Sequence, residues 1–248
     1  MGFMCNSFKV FFVVLALTAL GFIAGCATKQ APVKTITPAT AVPTTKPTAV
    51  KKPTTEQRAY AAMKRGDFET GIRLYGQLLQ KDPSNARITY YLGYAYGQTG
   101  NHDREISLYR RVIELGYQSD QIYYNLGEAY LELDQVNKAI RAFKKGVSKN
   151  KNSADNHFGL GRAYHKAFQY TQAERELLKA VRLAPEDILF RESLGFFYEE
   201  RGELKKAIEQ FEKAVAIDPE YREAREHLEH LVEQTKTDKE SPHGMGGQ

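Results

Sequence analysis

A 34-residue period runs through the chain without an insertion and limits its fold more than any other feature. Leu92-Gly93, Leu126-Gly127, Leu160-Gly161 and Leu194-Gly195 step by 34, and so do Tyr96, Tyr130, Tyr164 and Tyr198. Later in each unit Gly71, Glu105, Ala139, Ala173 and Ala207 share a register, followed by Tyr75, Tyr109, Phe143, Leu177 and Phe211. Pro83, Pro185 and Pro219 close three of the five units. A period of this size marks stacked supersecondary units, none of which can bury its apolar face alone. Within a unit, the Leu-Gly-x-x-Tyr set falls on one face of a first helix, and the Ala and aromatic set on one face of a second. Gly66, Gly100 and Gly202 fall at the turn between the two, where a left-handed residue is favoured. Glu105 at the small-residue position and Phe168 at the turn-glycine position depart from the pattern.

These residues resemble the tetratricopeptide repeat, and the resemblance covers residues 52–221 as five units: 52–85, 86–119, 120–153, 154–187 and 188–221. It implies an all-α fold, a right-handed superhelical solenoid of five helix hairpins. A capping helix is expected over 221–234, where Ala224, Leu228 and Leu231 share a stripe among charged residues. The first unit has Arg58-Ala59 in place of Leu-Gly, with Thr54 and Gln57 spaced as a capping box. Helices of about 12 residues are marginal alone, so stability must come from stacking neighbours. The folded domain is expected to span 55–234, with 235–248 as a disordered tail.

The N-terminus reads as an address. Lys9 precedes an apolar run from Val10 to Ala24, interrupted only by Thr18 and Gly21, which has the length of a secretory signal core. Ile23-Ala24-Gly25-Cys26 follows and resembles the lipobox of bacterial lipoproteins. That resemblance implies a signal peptide over 1–25, lipid attachment at Cys26, and a position in the bacterial cell envelope. Ala27 after the cysteine implies the outer membrane, facing the periplasm. Two readings compete with cleavage: an uncleaved signal anchor, and a helix-dimerisation pattern at Gly21 and Gly25. Residues 26–54 then form a Thr-, Pro-, Ala- and Lys-rich tether without apolar periodicity. As a flexible coil it spans on the order of 30 Å, and as a polyproline-like segment about 85 Å.

Charge and composition narrow the function. Residues 1–55 hold six of the 35 basic residues and no acidic ones, leaving 29 basic against 30 acidic in the rest. The net charge of +5 therefore belongs to the N-terminal segment, which argues against nucleic acid as a partner. Both cysteines, Cys5 and Cys26, lie ahead of the repeats, so no disulfide or thiolate metal site holds the fold. His227 and His230, with Glu223 one turn before, are a candidate metal-binding helix face, though a solvated cap surface is the plainer account. His157 reads as a packed imidazole, and Gly159-Leu160-Gly161 lies inside a helix and lacks the third glycine of a phosphate loop. No catalytic constellation or cofactor is expected, and the oligomeric state stays open.

What remains is the inner face of the solenoid, which the first helices line and where this fold receives peptides or helices. Positions five and nine of the units place Tyr90, Tyr94, Tyr124, Glu128, Phe158, Arg162 and Phe196 there. Aromatic residues and arginine dominate binding energy at interfaces, while tyrosine at position five also has a packing role. Glu56 and Tyr60 stand where chaperone-binding relatives carry Lys and Asn, so their carboxylate clamp is absent. Lipid anchor, tether and repeats together resemble the pilotins of type IV pilus systems, which assist secretin assembly. The implied function is a membrane-anchored scaffold or assembly factor; the alternatives are an adaptor for peptidoglycan enzymes and a metal-binding protein using the cap helix.

Overall fold

The computed structural model describes residues 52–240, with side chains as far as 237. The expected signal peptide, Cys26, the tether up to residue 51 and the last eight residues lie outside the described residues. Ten helices pair into five hairpins: α1 (Thr55–Lys64) with α2 (Phe68–Lys81), α3 (Ala86–Gln98) with α4 (His102–Glu114), and α5 (Asp120–Glu132) with α6 (Val136–Lys149). Then come α7 (Ala154–Lys166) with α8 (Tyr170–Leu183) and α9 (Ile188–Glu200) with α10 (Leu204–Ile217), capped by α11 (Arg222–Glu240). From α3 onward, every first helix starts 34 residues after the one before it, and from α2 so does every second helix. The first helix is the exception. Pro53 lies just before it, and α1 starts only after Thr54, whose hydroxyl accepts from the Gln57 N–H at 3.1 Å while the Gln57 side chain accepts from the Thr54 N–H at 2.8 Å. The capping box sets the start three residues late and leaves a helix of 10 residues.

The hairpin turns share one backbone solution. The N–H of Asp67, Asn101, Gln135, Gln169 and Glu203 reaches back to the carbonyl of Ala62, Tyr96, Tyr130, Tyr164 and Tyr198 at 2.8–3.0 Å. This closure requires a left-handed residue just before each donor. Gly66, Gly100 and Gly202 supply it, and in the other two turns Asp134 and Phe168 take φ of 57° and 58°. The Phe168 turn therefore has the same geometry as the glycine turns, with Gln169 N–H donating to the Tyr164 carbonyl at 2.9 Å. The cost of the left-handed backbone, about 1–2 kcal/mol, is met without a change in the turn.

Inside each hairpin the register of the period becomes contact. A Cβ added to Gly93 would lie 3.2 Å from the Tyr109 ring, on Gly161 2.7 Å from Leu177 Cγ, and on Gly195 2.8 Å from the Phe211 ring. In the first unit Ala59 and Tyr75 hold the same crossing, both fully buried. We therefore expect Gly161→Leu to lower stability by at least about 1–3 kcal/mol through overpacking. An unchanged thermal midpoint would mean that the crossing is not at this residue.

The cap helix departs from expectation at its far end. Ala224 and Leu231 are fully buried and Leu228 half-buried, so the apolar stripe docks. The helix then continues past 234 to Glu240, with the Thr235 and Thr237 hydroxyls bonded to the carbonyls of Val232 and Gln234, each at 2.9 Å. No glycine or proline interrupts the segment before Pro242. Polar residues without a breaker extend a docked helix, so the expected tail begins later than 235. His157 is a packed imidazole, buried with Nδ1 2.7 Å from Glu176 Oε2 and Nε2 3.1 Å from the Lys151 carbonyl oxygen.

Candidate protein-binding groove

The first helices stack on one side of the array, and α5 packs directly on α7. Between these two helices sit four of the candidate residues. Arg162 Nη1 donates to both carboxylate oxygens of Glu128, at 3.0 and 2.8 Å, and its guanidinium lies 5.5 Å above the Phe158 ring. Burial works against the Arg162 charge, but Glu128 beside it holds the guanidinium above its usual range. Phe158 stacks on Phe190 of the next unit at 4.4 Å. Tyr124 is half-buried and tilted against Phe143 at 6.0 Å. Burial pushes its hydroxyl pKa up, and Glu128 and Asp155 add to the shift.

Tyr90 is drawn further into the packing. Its hydroxyl accepts from Asn125 Nδ2 at 3.1 Å, the same amide donates to the Tyr109 hydroxyl at 3.2 Å, and the Tyr90 and Tyr109 rings meet at 5.6 Å. Tyr94 and Phe196 stay open, at 39% and 37% exposure. The Tyr94 ring meets Phe68 edge-on, and the Phe196 ring meets Phe211 and His227 edge-on. The strip thus divides into two exposed residues at its ends and half-buried rings between them.

Three acidic residues of this face escaped the sequence argument. Glu192 occupies position five of the last unit, 34 residues after Phe158, and the period alone places it there. It is half-buried, accepts from the Tyr221 hydroxyl at 3.0 Å, and burial followed by Glu223 raises its pKa. Asp155, at position two, and Asp187, which caps α9 by accepting from the Phe190 N–H at 3.1 Å, stand close enough to Tyr124 to act on its hydroxyl.

The cap-helix histidines do not converge with Glu223. The His227 ring stacks on Phe211 at 5.6 Å with Nδ1 3.8 Å from Glu199, whereas His230 is exposed. Among the described residues no three His, Cys, Asp or Glu side chains gather as a metal site would require. None of the described helices is long and apolar enough to cross a membrane.

Comparison with known proteins agrees with this geometry. Family models described as tetratricopeptide repeat match residues 57–120 and 120–152, and one described as YpiA-like, C-terminal tetratricopeptide repeats matches 155–221. The array is built of tetratricopeptide repeats. Solved structures that this repeat solenoid resembles include MamA, at 27% identity and a TM-score of 0.60 over 66% of this chain and 96% of that one. YrrB, described as a repeat protein with an unusual peptide-binding site, is 20% identical with a TM-score of 0.56 over 69% and 88%. A thermophilic repeat protein of Thermus thermophilus, TTC0263, is 19% identical with a TM-score of 0.60 over 72% and 97%. No curated protein matches the chain.

Proposed function

We propose that the tetratricopeptide-repeat array is a protein-interaction scaffold that receives a partner peptide or helix on its first-helix face. The observation that carries this reading is the aromatic strip from Tyr94 through Tyr124 and Phe158 to Phe196, whose end residues stay solvent-exposed. Rigid aromatic side chains at the centre of a concave surface are the residues that most often dominate binding energy. The YrrB structure, described as having a peptide-binding site, supports the same use of the fold. The lipobox resemblance at Cys26 extends the reading: the scaffold acts from a lipid anchor at the cell envelope, as an assembly factor of the kind that serves pilus or secretin biogenesis.

The test is crosslinking capture from membranes with the full chain, compared with a Tyr94→Ala, Phe196→Ala double variant. These two rings are chosen over Tyr124 and Phe158 because they are the more exposed, and because Phe196 also meets Phe211 the two chains are first matched for thermal midpoint. Capture of a discrete envelope protein that the double variant loses, with loss of about 1 kcal/mol or more per true hot spot, supports the groove. A secretin or pilus subunit would match the assembly-factor reading, and a peptidoglycan enzyme the adaptor alternative. Equal capture by both chains overturns the groove reading. Incorporation of labelled palmitate into the unaltered chain that Cys26→Ser abolishes would support the anchor, and no incorporation into the unaltered chain would overturn it.

A further inference from the structure

The charges on the first-helix face are not balanced. Three of its cations are spoken for: Arg162 by Glu128 at 2.8 Å, Arg87 by Glu56 at 2.6 Å, and Lys166 by Asp134 at 2.9 Å, while Lys64 lies over the Tyr60 ring at 5.7 Å. Four of its carboxylates are not. Among the described residues no cation lies within ion-pair distance of Asp120, Asp155, Asp187 or Glu192; their polar partners are neutral, namely the Asn150 amide, the Phe190 N–H and the Tyr221 hydroxyl. Acidic residues in the first turn of a helix are ordinary, because the helix N-terminus favours them, and Asp120, Asp155 and Asp187 sit at such ends. Two further observations bear on these carboxylates. The Asp155 carboxyl is shifted upward, by burial first and then by Asp187 and Asp120, so like charge crowds there. Glu192 lies in the second turn of α9, beside Tyr221 where α11 begins, and is shifted the same way by burial and Glu223.

These carboxylates flank the aromatic strip. Asp155 and Asp187 act on the Tyr124 hydroxyl, and Glu192 shares the position-five row with Tyr124 and Phe158. A face with apolar rings and unpaired negative charge selects its ligand by charge complementarity. We propose that the groove accepts an extended protein segment bearing lysine or arginine, with the cationic heads beside Asp155, Asp187 and Glu192 and the apolar side chains against the aromatic strip. This rests on the groove reading above and adds the chemistry of the partner. It also reverses the polarity of a clamp for acidic peptide ends, whose lysine and asparagine are replaced here by Glu56 and Tyr60.

The full chain would be titrated into two labelled peptides, one alternating lysine with valine and one with glutamate in place of each lysine, with fluorescence polarisation as the readout. The lysine peptide is expected to bind at least about ten-fold more tightly, and to lose most of that preference at about 1 M salt, where the Debye length falls to about 3 Å. Asp155→Asn with Asp187→Asn should weaken the lysine peptide about five- to ten-fold. Asparagine still caps α9, so the thermal midpoint of this variant should hold or rise as the like-charge crowding is relieved. Equal or tighter binding of the glutamate peptide overturns the proposal, as does unchanged lysine-peptide affinity in the double variant, or no binding of the lysine peptide. A glutamate peptide that binds and is released by Tyr94→Ala, Phe196→Ala would leave the groove reading standing and remove only its polarity.

Discussion

Phe143→Ala is expected to lower the stability of the array by about 3–5 kcal/mol, the range for truncating a fully buried phenylalanine. The upper end is favoured here by what surrounds the ring. Phe143 has no exposed surface and meets glycines of two successive units: a Cβ on Gly127 would lie 2.5 Å from its Cε1, and a Cβ on Gly159 would overlap the same edge of the ring. A cavity is relieved when flanking side chains relax into it, and two glycines have none to offer. The site also joins the third and fourth units, and a repeat array is held together by such nearest-neighbour interfaces. Domains are stable by only about 5–15 kcal/mol, so the loss should show in urea as an earlier midpoint and a broader transition as the two halves uncouple. A shift below about 1 kcal/mol with an unchanged slope would mean that the ring does not join the two units. Gly159→Ala approaches the same contact by overpacking and should lower stability by about 1–3 kcal/mol.

Half of that contact was legible in the period and half was not. Gly127 facing Phe143 follows from the register, as Gly93 facing Tyr109 and Gly195 facing Phe211 do, because one residue 16 places after another crosses the hairpin in every unit. Gly159 belongs to the next unit at a position where its counterparts are Tyr91, Asn125 and Ser193, and nothing in a 34-residue pattern says which unit will lend its wall to a neighbour's ring. The candidate groove divides in the same way. Position five puts Tyr90, Tyr124 and Phe158 on one face, but whether each ring stays open depends on what the following unit brings. Asn125 pins the Tyr90 hydroxyl, and Phe190 covers Phe158. Period determines the face, whereas side-chain pairing between units decides which residues remain for a partner. The same arithmetic places Glu192 in the row, where an acid stands in a series of aromatic residues.

Leu231→Asp is expected to release α11 from the end of the array. Leu231 is fully buried in the cluster that also contains Ala224 and Phe211. An aspartate there would be a buried charge without a partner, and leaving such a charge uncompensated costs about 3–5 kcal/mol. A terminal helix has a cheaper outcome open to it than global unfolding: it can detach, since terminal segments open with less free energy than the core. The response should therefore be local, with fast amide exchange through α11 while α3 to α8 stay protected, and Leu228→Asp, at a half-buried position, should do less. Detachment would also strip His227 from the edge of Phe196 and the face of Phe211. Phe196 is one of the exposed residues of the strip, so the cap bears on the groove as well as on stability. If the variant frees α11 and weakens the captured partner together, the last hairpin needs its cap to present that ring. If α11 keeps its protection, the helix is held by contacts other than Leu231, and the buried stripe is not what docks it.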